Sequence, residues 1–205
     1  MKTRWLLAVT LLCGCSNHRP DPLDPDAFRQ YQSTVTVQSG DHTDTYQYYR
    51  EGSKIRIVPV GPELNDQGEP MDHVAIILDQ EAKTATAISE RRKQFYVRPL
   101  LTANVPEASV VATAGRKVVS REPIGLETVD NHTCNIERFV LEQPDGTQNA
   151  VKVWSAQDLK GFPMRVEAAR GSSSVTTTFA NVKLGKAGDQ SLFTVPAGYS
   201  DAAKR

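Results

Sequence analysis

The chain has 205 residues, of which 39% are hydrophobic and 23% charged, an ordinary globular balance sufficient for one substantial domain. Lys and Arg number 24 and Asp and Glu also 24, so no whole-chain field draws the protein onto nucleic acid. Twelve prolines and thirteen glycines are spread along the sequence, which suits many short strands joined by turns.

The N-terminus reads MKTRWLLAVTLLCGC. Lys2 and Arg4 precede an apolar run from Trp5 to Leu12, far short of the roughly 20 residues a membrane span needs. A positive start, a short apolar core and small residues describe a secretory signal. Cys13 and Cys15 are not a zinc hook, because C-x-C lacks the usual spacing and no second ligand pair follows. Leu12-Cys13-Gly14-Cys15 instead resembles the lipobox of bacterial lipoproteins. The resemblance implies removal of residues 1–14, a thioether-linked diacylglycerol on Cys15 and acylation of its amino group. Cys13 fills a slot usually held by a small residue, which its size allows. Several acyl chains give stable membrane attachment. Ser16, where an Asp would retain a lipoprotein in the inner membrane, implies the outer membrane facing the periplasm in a host with two membranes. Residues 15–27, rich in proline, are expected to form a disordered tether.

A short helix is predicted over AFRQYQ (27–32), capped by Asp24 or Asp26 with Pro25 in the first turn. Strand signals then dominate. STVTVQS alternates Val35 and Val37 with polar residues. DTYQYYREG places Tyr46 and Tyr48 on one face and Tyr49 on the other. SKIRIVPV alternates Ile55 and Ile57 with basic residues, and HVAIILD carries Val74, Ile76 and Leu78. TATAISERRKQFYVRP holds two short strands. Pro106 to Thr113 suggests a second helix ended by Gly115. Strands resume in GLETVDNHTCNIERFVLEQ, and Pro144-Asp145-Gly146 is a turn. QNAVKVWS follows with Val151 and Val153 on one face, then FPMRVEAA, VTTTFANVKL and the closing DQSLFTVPAGY. Residues 201–205 are expected to be a disordered tail.

Three stretches in order carry a family resemblance: YREGSKIRIV before IILDQEAKTATAISERRKQFYV, GLETVDNHTCNIERFVLE before VKVWSAQDLKGFPMRVEA, and a terminal GDQSLFTVPAGY. Over residues 28–200 the chain resembles the LolA/LolB-like superfamily, closest to its DUF4412-type members. The resemblance implies a mainly β fold, a single strongly curved open antiparallel sheet (a half-barrel) of about ten strands, with short helices covering its concave side. It also implies an apolar hollow able to take a lipid, an acyl chain or another apolar ligand. The candidate lining is Tyr46, Tyr48, Ile55, Ile57, Ile76, Leu78, Val151 and Val153.

Other chemistry is sparse. His18, His42, His73 and His132 are scattered and form no metal-ligand spacing. His132 and Cys134 share a strand face and could pair as base and nucleophile or bind metal. A buried structural cysteine is the simpler reading, and the similar position of DUF4412-type sequences also holds a Cys. No G-x-S-x-G elbow occurs. The expectation is a non-enzymatic binding lipoprotein without cofactor or metal. Its expected partners are the membrane through the anchor, an apolar ligand and an envelope protein, with no nucleic acid. The alternatives are a structural or protein-interaction lipoprotein with a filled core and, further off, a hydrolase. Leu64 in GPELNDQGEP is the one counterpart of an exposed apolar cargo-collecting loop residue.

Overall fold

A computed structural model describes residues 21–24, 27–61, 72–100, 116–143, 145–170, 173–185 and 187–204. The helix expected over residues 106–113, Leu64 and the N-terminal cysteines lie outside the described residues. Twelve strands form one sheet: β1 (Gln30–Ser39), β2 (His42–Glu51), β3 (Lys54–Pro59), β4 (Val74–Asp79), β5 (Thr84–Ser89), β6 (Gln94–Pro99), β7 (Lys117–Val129), β8 (His132–Glu142), β9 (Gln148–Ala156), β10 (Pro163–Arg170), β11 (Ser173–Leu184) and β12 (Ser200–Asp201). Their spatial order is β12-β6-β5-β4-β3-β2-β1-β11-β10-β9-β8-β7. Two meanders, β1 to β6 and β7 to β11, run outward from a central β1–β11 pair, so β7 is an edge strand. Every pairing is antiparallel except the two-residue β12 beside β6.

The mainly β class and the single open antiparallel sheet agree with expectation. Among the described residues the strands number twelve, against about ten expected. The helix expected at residues 27–32 is absent: Ala27 lies in a bend and β1 begins at Gln30. Local caps favoured a helix there, but Tyr31, Ser33 and Val35 are buried with a period of two and pair with Arg50, Tyr48 and Tyr46 of β2. Partners distant in sequence override the local propensity. Among the described residues the only helical pieces are 3-10 turns at Gln190–Phe193 and Ala202–Lys204, so none of them supplies an α-helix over a sheet face.

The sheet rolls at one end. β11 is three strands from β8, about 14 Å in a flat sheet. Yet the Asn181 backbone N–H donates to Asp130 Oδ2, in the β7–β8 turn, at 2.8 Å. Asp130 (φ 48°) and Asn131 (φ 64°) both adopt the left-handed region that a tight two-residue hairpin requires and that short polar side chains tolerate. Arg165 of β10 reaches Glu127 of β7 at 3.1 Å across the same roll.

Burial changes phase along the rolled strands. In β8 the buried residues are Cys134 and Ile136, then Phe139 and Leu141. In β9 they are Val151 and Val153, then Trp154, Ser155 and Ala156. Buried side chains therefore lie on both faces of the sheet, and among the described residues they form three apolar clusters. The main one joins Tyr31, Val35, Tyr48, Ile55, Ile57 and Leu78 to Cys134, Trp154, Phe162 and Phe179. The second packs Leu23 on Phe139, Leu141, Val151, Val153 and Val166. Leu23 falls in the stretch expected to be a tether, and among the described residues 21–24 its side chain packs on the sheet. The third places Val195 and Tyr199 on Ala75, Ile77 and Ile88.

The C-terminal segment is a strap held by more than apolar contact. Arg56 Nη1 donates to the Leu192 carbonyl at 2.8 Å, and Asp189 Oδ1 accepts from Ser191 N–H at 2.8 Å. Gly188 (φ 93°) lies where a Cβ would come within 2.5 Å of Leu192. Ser200 and Asp201 then extend the β6 edge, so the sheet reaches past residue 200, into the stretch read as a tail. The opposite edge, β7, keeps Val118, Val119, Ile124 and Leu126 exposed. Its Pro123 and two register shifts, at Val118/Ser120 and Pro123/Gly125, are devices that discourage strand addition to an open edge.

Candidate functional site

Cross-strand register assembles the candidate lining residue by residue. One row runs Ser33, Tyr48, Ile57, Ile76, Ala87 from β1 to β5. The next runs Tyr31, Arg50, Ile55, Leu78, Ala85. Tyr46 lies in a third, between Val35 and Pro59. Six of the eight expected lining residues thus share one face of β2–β4. Tyr48, Ile55, Ile57 and Leu78 are at most 3% exposed, while Tyr46, Ile76, Val37 and Ala85 are half-buried against them. Tyr31 stacks on Tyr48 with ring centroids 5.4 Å apart. Val151 and Val153 are not part of this face: they belong to the second cluster with Phe139 and Leu23.

Two clefts open at the surface. One of about 680 Å³ lies between Arg29, the Glu51–Lys54 turn, Glu81 and the strap residues Gln190, Ser191, Phe193 and Thr194. The other, about 420 Å³, runs over Ile124, Arg138, Ala150, Lys152, Glu167 and Ser174. Both have mixed polar linings. Of the eight expected residues only Val151 borders either.

The His132–Cys134 pair does not form a nucleophile site. Cys134 is fully buried, and its thiol donates to the His132 backbone carbonyl at 3.4 Å rather than to the ring. Burial pushes the thiol pKa up, which disfavours the reactive thiolate. His132 Nδ1 instead lies 2.7 Å from Asp158 Oδ2 and holds that carboxyl below its ordinary range. Among the described residues no group of three or more His, Cys, Asp or Glu is placed to hold a metal ion.

A polar network that the sequence did not reveal surrounds Trp154. Its indole N–H donates to Glu127 Oε2 at 2.7 Å, and its ring has Lys152 Nζ 4.5 Å and Arg165 5.2 Å from the centroid. The indole hydrogen bond, aided by Arg165 and Lys152, keeps the Glu127 carboxyl below its ordinary range despite an opposing desolvation. A depressed carboxyl stabilises the fold above its unfolded value, about pH 4.3, and that contribution is lost as pH falls through the folded value. Glu127→Gln should therefore be less stable than wild type at neutral pH and converge with it in acid. Urea midpoints of both proteins across this range measure the difference.

No family model matches the chain, and no curated protein matches it. Solved structures do. MucB superposes with a TM-score of 0.55 at 10% identity, covering 82% of this chain and 58% of MucB, so the chain spans under two thirds of that protein. LprF from Mycobacterium bovis superposes at 0.50 and 9% identity, covering 83% of this chain and 90% of LprF. A LolA superfamily protein from Nitrosomonas europaea superposes more loosely, at 0.39 and 12% identity, over 87% of this chain and 93% of its own. At such identities the likeness concerns fold alone: the chain shares the fold of MucB and LprF.

Proposed function

We propose that the protein is a non-enzymatic, lipid-anchored lipoprotein of the cell envelope whose LolA-like sheet binds a lipid, an acyl chain or another apolar ligand. The observation that carries this reading is the gathering of Tyr46, Tyr48, Ile55, Ile57, Ile76 and Leu78 on one face of β2–β4. The likeness to MucB and LprF supports the architecture. Cys15 carries the anchor, and the outer membrane facing the periplasm is the site of attachment. A guest makes its first contacts along half-buried Val37, Tyr46, Ile76 and Ala85, because the deeper residues are already covered. A fluorescent fatty-acid probe should bind the native protein saturably, and Tyr46→Ala should weaken it about tenfold. Absence of saturable probe binding would sink the reading.

A second reading is favoured by one observation. Ile55, Ile57 and Leu78 are 0–3% exposed, as in a core filled by its own side chains. In that case the protein holds a protein partner rather than a lipid. The second reading requires the probe to fail while an envelope protein is captured by the anchored chain.

A further inference from the structure

Arg50 narrows the ligand class, an inference that rests on the binding reading above. Strand alternation keeps Arg50 in phase with Tyr46 and Tyr48, so its side chain enters the apolar face. Its direct cross-strand neighbours are Tyr31 and Ile55, both core residues. Arg50 is 6% exposed, and its Nε donates to the Gly52 carbonyl at 3.3 Å. Among the described residues it makes no ion pair, whereas Arg121 has Glu137 at 2.7 Å and Arg165 has Glu127 at 3.1 Å. The adjacent Glu51 does not serve: alternation sends it to the other face, where its carboxylate accepts from Gln30 at 2.9 Å. A buried guanidinium without a counter-charge is costly, and one neutral carbonyl does not replace an anion. Ser33, diagonal to Arg50 across the β1–β2 pair, adds a second unmet group. Its Oγ is buried and has no hydrogen-bond partner among the described residues. A cation short of an anion and a hydroxyl short of a partner thus stand on the face that gathers the apolar residues.

We infer that the ligand is an amphiphile with an anionic head, a carboxylate or a phosphate. The head pairs with the Arg50 guanidinium and the chain lies toward Ile76 and Ala85. A neutral long-chain alcohol offers the same chain without the charge and leaves Arg50 unmet. Arg50 therefore discriminates between ligands of equal chain length, and it does so through charge.

The test compares palmitate, hexadecanol and a palmitoyl lysophosphatidate, each below its micellar concentration, by displacement of a fluorescent probe from the native full chain. One or both anionic amphiphiles should bind at least about tenfold tighter than hexadecanol, with the preference falling as salt rises. The tighter of the two identifies the head as carboxylate or phosphate. Arg50→Gln should abolish the preference and Arg50→Lys restore part of it. Equal binding of all three overturns the anionic-head inference and leaves the binding reading standing. Binding of none overturns the binding reading itself. If Arg50→Gln loses its cooperative urea transition, the wild-type ratio of palmitate to hexadecanol decides alone.

Discussion

Phe162→Ala should lower the free energy of unfolding by about 3–5 kcal/mol, among the largest effects any single substitution has here. Phe162 is 1% exposed and sits just before β10. Its ring meets Phe28 at 5.1 Å, Tyr31 at 5.0 Å and Phe179 at 5.4 Å, all near-perpendicular. Those partners come from the chain entering β1, from β1 itself and from β11, so one side chain ties the two meanders together where they meet. Its backbone closes the β9–β10 turn, accepting from Ala156 N–H at 2.9 Å and donating to the Leu159 carbonyl at 3.0 Å. Truncation keeps those backbone bonds and removes the ring, leaving a cavity among three aromatics that cannot collapse without moving strands. Domains of this size are stable by about 5–15 kcal/mol, so the variant forfeits a large share of the total. Its melting temperature should fall by on the order of 10 °C. Phe162→Leu, which keeps most of the volume, should cost about half as much. Leu126→Ala, at a side chain 64% exposed on β7, should change stability by no more than about 0.5 kcal/mol. Urea unfolding of the three variants beside wild type measures the ranking. A loss at Phe162 no greater than at Leu126 contradicts the packing described.

In the proposed reading, Cys15→Ala should move the whole protein from the membrane fraction to the soluble envelope fraction and abolish incorporation of labelled palmitate. The size of the effect follows from chain energetics: each buried methylene contributes about 0.8 kcal/mol, and anchoring becomes stable only when more than one chain is present. Removing Cys15 removes every chain at once, so no partial attachment should remain. Cys13→Ala tests the other half of the assignment. If Cys13 leaves with the signal, its replacement by a small residue should leave labelling unchanged. Retained label in Cys15→Ala, or lost label in Cys13→Ala, overturns the lipobox reading.

Alternation carried most of what was legible in the sequence. Tyr46 and Tyr48 against Tyr49, Ile55 and Ile57 against Arg56, and Ile76 with Leu78 were assigned to the faces they occupy. The strand ending in Asp79 was also legible with its mechanism, since Asp79 Oδ1 accepts from the Glu81 and Ala82 backbone N–H groups and shapes the turn. Three features escape a reading by alternation alone, two of them for want of any sequence signal. At the start of β1 the local cues Asp24 and Pro25 favour a helix, whereas the pairing of Gln30 with Glu51 that decides for a strand lies 21 residues away. Val151 and Val153, expected to line the same hollow as Tyr46 and Ile57, pack in the second cluster. Burial changes phase along β8 and β9, and the Pro163/Arg165 register shift in β10 answers it; neither leaves a periodic mark. Arg50 was readable in principle, because it continues the Tyr46–Tyr48 phase. A charge in a strand is ordinarily assigned outward, and only the register with Tyr31 and Ile55 reveals where it points.

In the proposed reading the sheet holds an apolar guest on the face of Tyr46, Ile57 and Ile76. Native mass spectrometry of the full chain, released gently from its membrane without an exchange of lipids, tests it most directly. A population heavier than the lipidated chain by the mass of one amphiphile should appear, be lost on mild activation and be depleted in Tyr46→Ala. A single species at the mass of the lipidated chain alone, in wild type and variant alike, would contradict it.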